Sequence, residues 1–473
     1  MTLEIYNTLK REKEPFVKKG NVGIYVCGPT VYDEPHIGHA RSAYIFDVIV
    51  RYLRYRKYKV TFVRNVTDVD DKIIDKAKRE DGHGDLNARC KEIADKYLDR
   101  YHEDMDALGL ARPDKEPKAT QVIKDMTEFI THLIKKGFAY AASGSVYFNV
   151  RKFNDYGKLS GQSLDDMAQG ARVTPGEGKK DPLDFALWKA SKENEPSWKS
   201  PWGDGRPGWH IECSVMSTKY LKKNFVIHGG GLDLIFPHHE NEIAQTVCAG
   251  AKSADYWVHN GLLTINGQKM SKSVGNFVTI TDILKKYHPE VLKLFFMSGH
   301  YRSPIDFTYD KMDTTREVRE RFYELIDNID NRLSLQPPGI DGKRLTGEID
   351  KCKEIFLQAM DDDFNMPRAL SALHMMMNAT NSAINQNKWN KDSLLYSKKS
   401  LLESSGIFGL FNDKDEFKKR REFDKEEKAL IDERNKARKN KDFNASDRIR
   451  QELLKRGILL EDTKEGTVWR RKV

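Results

Sequence analysis

Hydrophobic residues recur at intervals of three and four along residues 40–53, and this spacing predicts a helix with one broad apolar face. Before this helix, residues 22–27 form a short apolar run that predicts a strand, which the glycine and prolines of residues 28–35 end in a loop. Residues 60–63 begin another apolar run. Strand, loop, helix and strand predict a parallel crossover unit whose ligands collect at the carboxyl ends of the strands.

A second unit of the same kind is predicted near the middle of the chain. Residues 225–228 predict a strand, Gly229, Gly230 and Gly231 a tight turn, and residues 238–249 a helix. We interpret the two units as halves of one sheet, separated by an insertion with mixed helix and turn signals. The predicted fold class is therefore α/β, with a Rossmann-type parallel sheet split by an insertion and followed by a helical region beyond Thr308.

Composition narrows the class of protein. The chain has 473 residues, 39% of them hydrophobic, and its 80 Lys and Arg against 71 Asp and Glu give a formal net charge of +9. This length predicts several domains, and the intermingled charge permits a polyanionic partner without establishing one. Because there is no run of ~18 apolar residues and no secretory signal, we expect a cytoplasmic protein. Five scattered cysteines argue against a disulfide framework.

Two short motifs carry candidate chemistry. The first, Pro35-His36-Ile37-Gly38-His39, stands where the predicted loop becomes a helix, so its imidazoles and nearby backbone N–H groups would face the crevice that suits phosphate. Gly38 would let a nucleotide approach closely. Spacing alone leaves open the alternative that these two histidines are ordinary polar surface.

The second motif is Lys269-Met270-Ser271-Lys272-Ser273. It follows Asn266-Gly267, a strong tight-turn signal, which places both lysines on a surface loop. Paired ammonium groups are suited to stabilising the charge of a departing pyrophosphate. In isolation, a merely solvated basic loop is the more ordinary interpretation.

Together the two motifs resemble the HIGH and KMSKS signatures of class I aminoacyl-tRNA synthetases, intact and in the expected order. Four further segments resemble cysteinyl-tRNA synthetases, within a likeness that extends from Tyr6 to Arg471. These segments are residues 25–33, 65–72, 208–213 and 236–242. The resemblance implies catalytic roles for His36, His39, Lys269 and Lys272. It implies ATP contacts at Gly38, Gly231, Asp233, Ser271 and Ser273, and a cysteine pocket bordered by Thr67 and Trp209.

The same resemblance implies one zinc ion per chain, held by Cys27, Cys213, His238 and Glu242. Two of these, His238 and Glu242, are four residues apart on a predicted helix and would project from one face. The adjacent His239 and Glu240 are alternatives that spacing does not exclude, and the choice of histidine rests on the family match. The substrate thiolate is expected to join the zinc as an additional ligand, which would separate cysteine from serine without an editing domain. Mg²⁺ is expected to accompany ATP.

The implied partners are ATP, L-cysteine and tRNA(Cys), with cysteine activated as an adenylate and then transferred to the terminal adenosine of the tRNA. The enzyme is expected to be a cytoplasmic monomer. Three alternatives remain: a ligase that passes activated cysteine to a small amine, a non-catalytic RNA-binding relative, and a structural zinc protein. The intact motifs favour an enzyme, and the presence of residues 413–473 favours tRNA.

The resemblance also divides the chain. We expect a Rossmann-type catalytic domain, a connective insertion, a KMSKS loop with a stem-contact region, a helical bundle and an anticodon-binding module. Their expected ranges are, in that order, 1–112 with 201–261, 113–200, 262–308, 309–412 and 413–473. In the last, residues 433–457 predict a charged helical hairpin, and residues 466–471 place a tryptophan beside cations, which suits either stacking on RNA bases or simple packing.

Overall fold

The computed structural model describes residues 2–17, 20–80, 85–164, 166–167, 178–271, 275–334, 337, 342–463 and 466–471. The chain forms two compact units. Unit 1 comprises Met1–Lys286, Gly299–Phe307 and Asp361–Phe364, and unit 2 comprises Tyr287–Ser298, Thr308–Met360 and Asn365–Val473. No helix among the described residues is both long enough and apolar enough to cross a membrane.

Unit 1 contains most of the strands. They are β1 (Glu4–Asn7), β2 (Glu12–Pro15), β3 (Asn21–Val26), β4 (Lys59–Arg64), β5 (Ala139–Ala142), β6 (Ser145–Phe148), β7 (Phe185–Ala190), β8 (Gly205–Pro207), β9 (Phe225–Gly231), β10 (Tyr256–Asn260), β11 (Leu263–Ile265), β12 (Gln268–Lys269) and β13 (Ile305–Phe307). Its helices are α1 (Ile37–Tyr55), α2 (Asp71–Arg79), α3 (Leu86–Ala107), α4 (Ile123–Lys135), α5 (Trp209–Leu221), α6 (Glu240–Ala249) and α7 (Ile280–Leu284).

The central sheet of unit 1 has four parallel strands in the order β10-β9-β3-β4. Tyr25 of β3 lies in register with Val63 on one side and His228 on the other. The predicted crossover unit is confirmed, because α1 connects β3 to β4 and buries the apolar face that its spacing predicts. The carboxyl ends of all four strands therefore meet at one edge of the sheet, where open α/β sheets bind their ligands.

The prediction of a tight turn at residues 229–231 is wrong, since all three glycines lie within β9. A Cβ at Gly229 would lie 2.2 Å from the ring of Phe46, and one at Gly230 would lie 2.7 Å from the ring of His239. The glycines are thus explained by side chains packed directly on the strand, not by backbone turning. In addition, α6 begins at Glu240, two residues after the predicted start of this helix.

The expected insertion, residues 113–200, contains α4 and the strands β5, β6 and β7, which the mixed helix and turn signals missed. These strands form an antiparallel sheet in the order β5-β6-β7-β8, whose last strand lies just beyond the expected range. Its buried Val146 and Trp188 belong to one hydrophobic cluster with Tyr25 of β3 and Ile211 of α5. The insertion therefore shares one hydrophobic core with β3 and α5. Its sheet packs into the same interior that holds α5, the helix that carries Cys213.

Unit 2 is mainly helical, as predicted for the chain beyond Thr308. Its helices are α8 (Pro289–Phe296), α9 (Tyr309–Leu333), α10 (Lys343–Asp361), α11 (Met366–Asn385), α12 (Lys391–Gly406), α13 (Lys414–Arg421), α14 (Lys425–Lys439) and α15 (Phe443–Lys455). The pair α14 and α15 confirms the predicted charged hairpin, and an antiparallel ribbon of β14 (Ile458–Thr463) and β15 (Gly466–Arg471) follows it. The ring of Trp469 packs 4.2 Å from that of Phe423, which favours the packing interpretation of this tryptophan.

A buried group of charges fixes the helices of unit 2. Arg319 of α9 is 4% exposed and donates from Nε to Glu290 Oε2 of α8 at 3.0 Å. Its guanidinium also lies 3.2 Å from Glu416 of α13, whose carboxylate accepts from Arg420 Nε at 2.9 Å. Both arginines lie 4.5 Å from the ring centroid of Tyr323. Buried charges are costly unless they are paired. Removing either arginine would leave buried carboxylates without their ionic partner.

Arg319→Met is therefore expected to lower the free energy of unfolding by about 3 to 5 kcal/mol, since it leaves the buried Glu290 carboxylate without its ionic partner. Urea unfolding of the full chain measures this. The matched control is Arg321→Met on the same helix, where the side chain is 62% exposed and lies 3.9 Å from Glu317. That control should change stability by less than about 0.5 kcal/mol. Equal effects of the two substitutions would contradict the argument.

Candidate metal and nucleotide site

Two thiols meet at the carboxyl edge of the sheet. Cys27 directly follows β3, and Cys213 lies in the second turn of α5, where the cluster described above buries it. Their Sγ atoms are 3.7 Å apart. Tetrahedral zinc with Zn–S bonds of about 2.3 Å holds two sulfurs about 3.8 Å apart, so the spacing of the thiols fits a shared metal ion.

A histidine and a carboxylate complete this cluster. His238 precedes α6 and Glu242 lies in its first turn; His238 Nε2 is 3.1 Å from Glu242 Oε1. Glu242 Oε1 is in turn 3.5 Å from Cys27 Sγ. One ligand atom from each of the four residues lies within 4.8 Å of all the others. Within the described ranges, the buried His238 Nε2 has no well-oriented hydrogen bond. A metal ligand would have this feature, since buried polar atoms are otherwise hydrogen-bonded.

A second donor set overlaps the first. Cys27, His228, His239 and Glu242 also place one ligand atom each within 4.8 Å of the others. His239 Nε2 lies 3.3 Å from Cys27 Sγ, and its Nδ1 shares a hydrogen bond of 2.8 Å with His259 Nε2. Geometry therefore keeps open the choice of histidine that the sequence left open. The first set offers two thiols and the second only one, and thiolates are strong zinc ligands.

Electrostatics favour a cation between these groups. Burial opposes ionisation of Glu242, but His228 and His238 outweigh it and lower the pKa of this carboxyl to about 2. Burial also raises the pKa of the Cys27 thiol well above its usual range. The hydrogen bond from Cys27 offsets burial at Cys213 and lowers the pKa of that thiol to about 6. The protein groups alone therefore favour only one thiolate, and a bound divalent cation would favour both.

Side chains behind the cluster orient it. His210 and His238 share a hydrogen bond of 2.9 Å between their Nδ1 atoms, and burial lowers the pKa of His210 well below its usual value. A neutral His210 can accept the Nδ1 proton of His238. Burial opposes a charged His238, but Glu242 and Cys213 outweigh it and raise the pKa of His238 to about 10, so a metal ion would have to displace the Nε2 proton. Trp209 is 37% exposed, and its ring stacks on His238 with centroids 4.2 Å apart. Trp209, which was predicted to border the cysteine pocket, thus lies next to the four candidate metal ligands.

Thr67, the other predicted pocket residue, is buried beside the same edge. Its Oγ1 donates to Glu212 Oε2 at 2.9 Å and accepts from Asn65 Nδ2 at 3.3 Å. The carbonyl group of the Asn65 side chain accepts from the backbone N–H of Gly28 at 2.9 Å. Burial raises the pKa of Glu212 well above its usual value. Sequence reasoning missed Asn65 and Glu212, because only folding brings them next to Cys27 and Thr67.

The histidine motif caps α1. His36 Nδ1 accepts from the backbone N–H of Gly38 at 3.1 Å, and His39 Nδ1 accepts from that of His36 at 3.3 Å. The rings stack with centroids 3.8 Å apart. An imidazole that accepts at Nδ1 carries its proton on Nε2, so each neutral ring has one remaining donor. Burial lowers the pKa of His39 well below its usual value, which makes this side chain a neutral donor and not a cation.

The predicted hairpin at Asn266-Gly267 is confirmed, since β11 and β12 pair across these two residues and both have positive φ, 50° and 76°. This is the backbone of a type I′ turn. Lys269 ends β12 with its side chain exposed. Asn276, a residue that the sequence did not single out, closes the following loop: its Oδ1 accepts from the backbone N–H of Ser271 at 2.8 Å. Lys272 and Ser273 lie outside the described residues.

The predicted adenosine element follows β9. Gly231 is the last residue of this strand, and Asp233 is exposed two residues later. A Cβ at Gly231 would lie 2.3 Å from Asp233 Oδ1, so only glycine leaves room for this carboxylate to turn back over the strand end. Because Gly231 has no Cβ, the Asp233 carboxylate fits beside it. Asp233 lies at the same sheet edge as the histidine motif.

Three family models match the chain. The model for tRNA synthetases class I (C) catalytic domain matches residues 13–317. The DALR domain matches residues 355–412, and the cysteinyl-tRNA ligase anticodon binding domain matches residues 420–470.

Solved structures share the fold of this chain. The methionyl-tRNA synthetase of Mycobacterium tuberculosis in complex with methionyl-adenylate superposes with a TM-score of 0.61 at 16% identity, over 82% of this chain and 90% of that chain. A LeuRS of Agrobacterium radiobacter in a ternary complex with tRNA gives a TM-score of 0.62 at 11% identity, over 84% of each chain. The fold is that of the class I aminoacyl-tRNA synthetases.

Curated relatives define the family. Proteins named cysteine--tRNA ligase from Thermococcus gammatolerans and Persephonella marina are each 49% identical to this chain; both matches cover 100% of it and 99% and 100% of the relatives. The corresponding protein of Thermococcus kodakarensis is 50% identical, over 100% of this chain and 99% of its own. The chain belongs to the cysteinyl-tRNA synthetase family.

Gly28→Ala is expected to lower the free energy of unfolding by roughly 1 to 3 kcal/mol, the usual cost of forcing extra volume into a packed region. The added Cβ would lie 1.6 Å from the backbone oxygen of Asn65, so the ends of β3 and β4 must separate. Thermal unfolding measures the loss. The control, Gly347→Ala in α10, has no neighbour within 4 Å and should stabilise by up to about 1 kcal/mol. An undiminished melting temperature for Gly28→Ala would refute the steric argument.

Proposed function

We propose that this chain charges tRNA(Cys) with L-cysteine in two steps at the carboxyl edge of its parallel sheet. The observation that carries the proposal is the position of a four-donor, two-thiol cluster at the same edge as the His36–His39 and Lys269 motifs. Phosphate-binding motifs alone would suit any member of the class. The thiol cluster is what suits cysteine, and the names of the relatives that match over the full chain agree with it.

In the first step, a carboxylate oxygen of cysteine attacks the α-phosphorus of ATP, the new P–O bond forms, and the bond to the β-phosphate bridging oxygen breaks. The leaving group is pyrophosphate with its Mg²⁺. His36 and His39 hold Nε2 protons and donate hydrogen bonds to the phosphate oxygens, and Lys269 acts as a point charge toward the leaving group. Lys272 would share that role, and Ser271 and Ser273 of the same sequence motif would contact ATP.

Residues at the same carboxyl edge of the sheet would contact ATP and cysteine. Gly38 and Gly231 lack the side chains that would block a nucleotide, and the carboxylate of Asp233 suits the hydroxyl groups of a ribose. Thr67 and Trp209 border the pocket for the cysteine side chain. In the second step, the 2′-hydroxyl of the terminal adenosine of the tRNA attacks the carbonyl carbon of the adenylate, and AMP leaves.

Cys27, Cys213, His238 and Glu242 would hold zinc, because their spacing, burial and charges fit that ion. When bound there, zinc supplies a site that prefers the thiolate of cysteine to the hydroxyl of serine. His210 and Trp209 keep His238 in the orientation that this requires. Selection would then rest on one bond that serine cannot match, and the chain needs no hydrolytic site to remove serine.

We assign recognition of the tRNA to the second half of the chain, with residues 309–412 as the helical bundle and 413–473 as the anticodon-binding module. The match of the anticodon binding domain to residues 420–470 supports this assignment. It also argues against the ligase that uses a small amine, which would have no use for such a module. For the first half, the proposed division is 1–112 and 201–261 for the catalytic domain, 113–200 for the insertion and 262–308 for the KMSKS region.

The overall activity is tested by cysteine-dependent exchange of labelled pyrophosphate into ATP and by charging of purified tRNA(Cys). We expect exchange and charging with cysteine and neither with serine at the same concentration. Exchange without charging of any tRNA would point to the small-amine ligase. A folded, zinc-loaded chain that gives no exchange would refute the enzymatic proposal.

The choice of histidine is tested by metal content and zinc affinity. His238→Gln should weaken zinc binding by more than about 100-fold, the upper end of the loss caused by supporting residues, because it removes a ligand. His239→Gln, at the adjacent and equally buried position, should leave a stoichiometric zinc in place. Inductively coupled plasma mass spectrometry with a competing chelator measures both. The reverse result would assign the metal to the second donor set.

A further inference from the structure

Arg41 is a buried cation that the proposed chemistry does not use. It lies on α1, two residues after His39, and is 1% exposed. Burial lowers its pKa to about 10, so the guanidinium is still charged near neutral pH. No ion pair joins it to a carboxylate in the described ranges. Arginine is almost never fully buried unless it is paired, so the partners of this group need explanation.

Four backbone carbonyls take the place of a counter-ion. Arg41 Nη1 donates to the carbonyl oxygens of Gly261 and Leu262, both at 2.7 Å. Nη2 donates to those of Ser303 at 2.6 Å and Tyr301 at 3.3 Å. The two carbonyl pairs come from segments about 40 residues apart along the chain, and one planar guanidinium with fixed donor directions joins them.

The joined segments are the base of the small sheet that carries Lys269. Residues 261–262 lead into β11, residues 301–303 lead into β13, and the sheet order is β12-β11-β13. The junction is closely packed: a Cβ at Gly261 would lie 2.2 Å from the Ser303 oxygen. The backbone N–H of Gly261 also donates to the oxygen of Tyr301 at 2.8 Å. Arg41 therefore connects this base to the helix whose N-terminus holds the histidine pair.

The far end of the same segment is attached to α1 as well. The backbone N–H of Ile37 donates to Val278 at 3.2 Å, and that of Ile280 donates to Pro35 at 3.3 Å. Between these two attachments, the terminal carbon of Met270 lies 3.5 Å from the position of a Cβ on Gly38. The lysine-bearing segment thus has one fixed point at Arg41 and another at residues 35–37, and Lys269 lies between them.

We propose that Arg41 is a positioning residue for the nucleotide step: it fixes the base of the β12-β11-β13 sheet to α1 and so sets the position of Lys269 relative to His36 and His39. This inference rests on the proposed function. Arg41 touches neither the thiol cluster nor the predicted cysteine pocket, so its effect is confined to ATP and pyrophosphate. A displacement of about 1 Å at a charge-stabilising group is enough to reduce a rate by roughly 100-fold.

The test compares Arg41→Gln and Arg41→Lys in pyrophosphate exchange, with ATP and cysteine each varied. Arg41→Gln should lower kcat/KM for ATP by roughly 10- to 100-fold and leave KM for cysteine and zinc content unchanged. Arg41→Lys keeps the charge but cannot reach four carbonyls, so it should recover part of the loss. The control is Arg51→Gln on the same helix, whose side chain is 30% exposed and pairs with Asp47 at 2.7 Å.

A second readout does not depend on activity. Trypsin cleavage after the exposed Lys269 should be several-fold faster in Arg41→Gln than in the wild type or Arg51→Gln, because the base of its sheet is released. If the wild type shows no exchange, the proposed function fails and the cleavage rates alone decide the role of Arg41. Unchanged ATP kinetics, unchanged cleavage, or a KM for cysteine that rises as much as the KM for ATP would overturn the proposal. If Arg41→Gln does not fold, Arg41→Lys decides it by the same measurements.

Discussion

The parallel direction of four strands is the constraint on which the rest of unit 1 depends. Because β10, β9, β3 and β4 all point the same way, the residues that follow them meet at one edge although they are far apart in sequence. Cys27 follows β3, Thr67 follows β4 and Gly231 ends β9. Reversing β3, β4 or β9 would send one of these three residues to the opposite edge. The close packing of the strand glycines on Phe46 and His239 keeps this register in place.

Two kinds of electrostatic problem are solved at that edge in different ways. The thiol cluster concentrates acidic groups in a buried space, where histidines offset part of the charge and a metal ion would offset the remainder. Arg41 presents the opposite case, a buried cation surrounded by carbonyl dipoles. The thiol cluster creates a site for a cation, whereas the guanidinium of Arg41 holds backbone segments in place. Unit 2 uses a third solution, in which Arg319 and Arg420 are neutralised by carboxylates from three helices.

Local patterns predicted the elements that local physics determines. The spacing of Tyr44, Val48 and Tyr52 predicted α1, because the apolar face of a helix requires that spacing. Asn266-Gly267 predicted the tight turn, because these residue types favour positive φ. The residues Asn65, Glu212 and His210 show no such local pattern, since each acts through a contact that only the fold creates. Three consecutive glycines suggested a turn, but packing against Phe46 decided their conformation. The candidate metal ligands were predicted from family likeness, and spacing alone would have supplied only His238 and Glu242.

The separation of the two thiols along the chain has a consequence during synthesis. Cys27 and Cys213 are 186 residues apart. At roughly 5 to 20 residues per second, a ribosome needs about 10 to 40 s to make the second thiol after the first. Throughout that interval β9 has not yet been made, so Cys27 lacks the partners that bury it in the folded chain. The order of translation therefore completes this four-donor cluster only after β9 and the start of α6 have been made, and β10 is made later still.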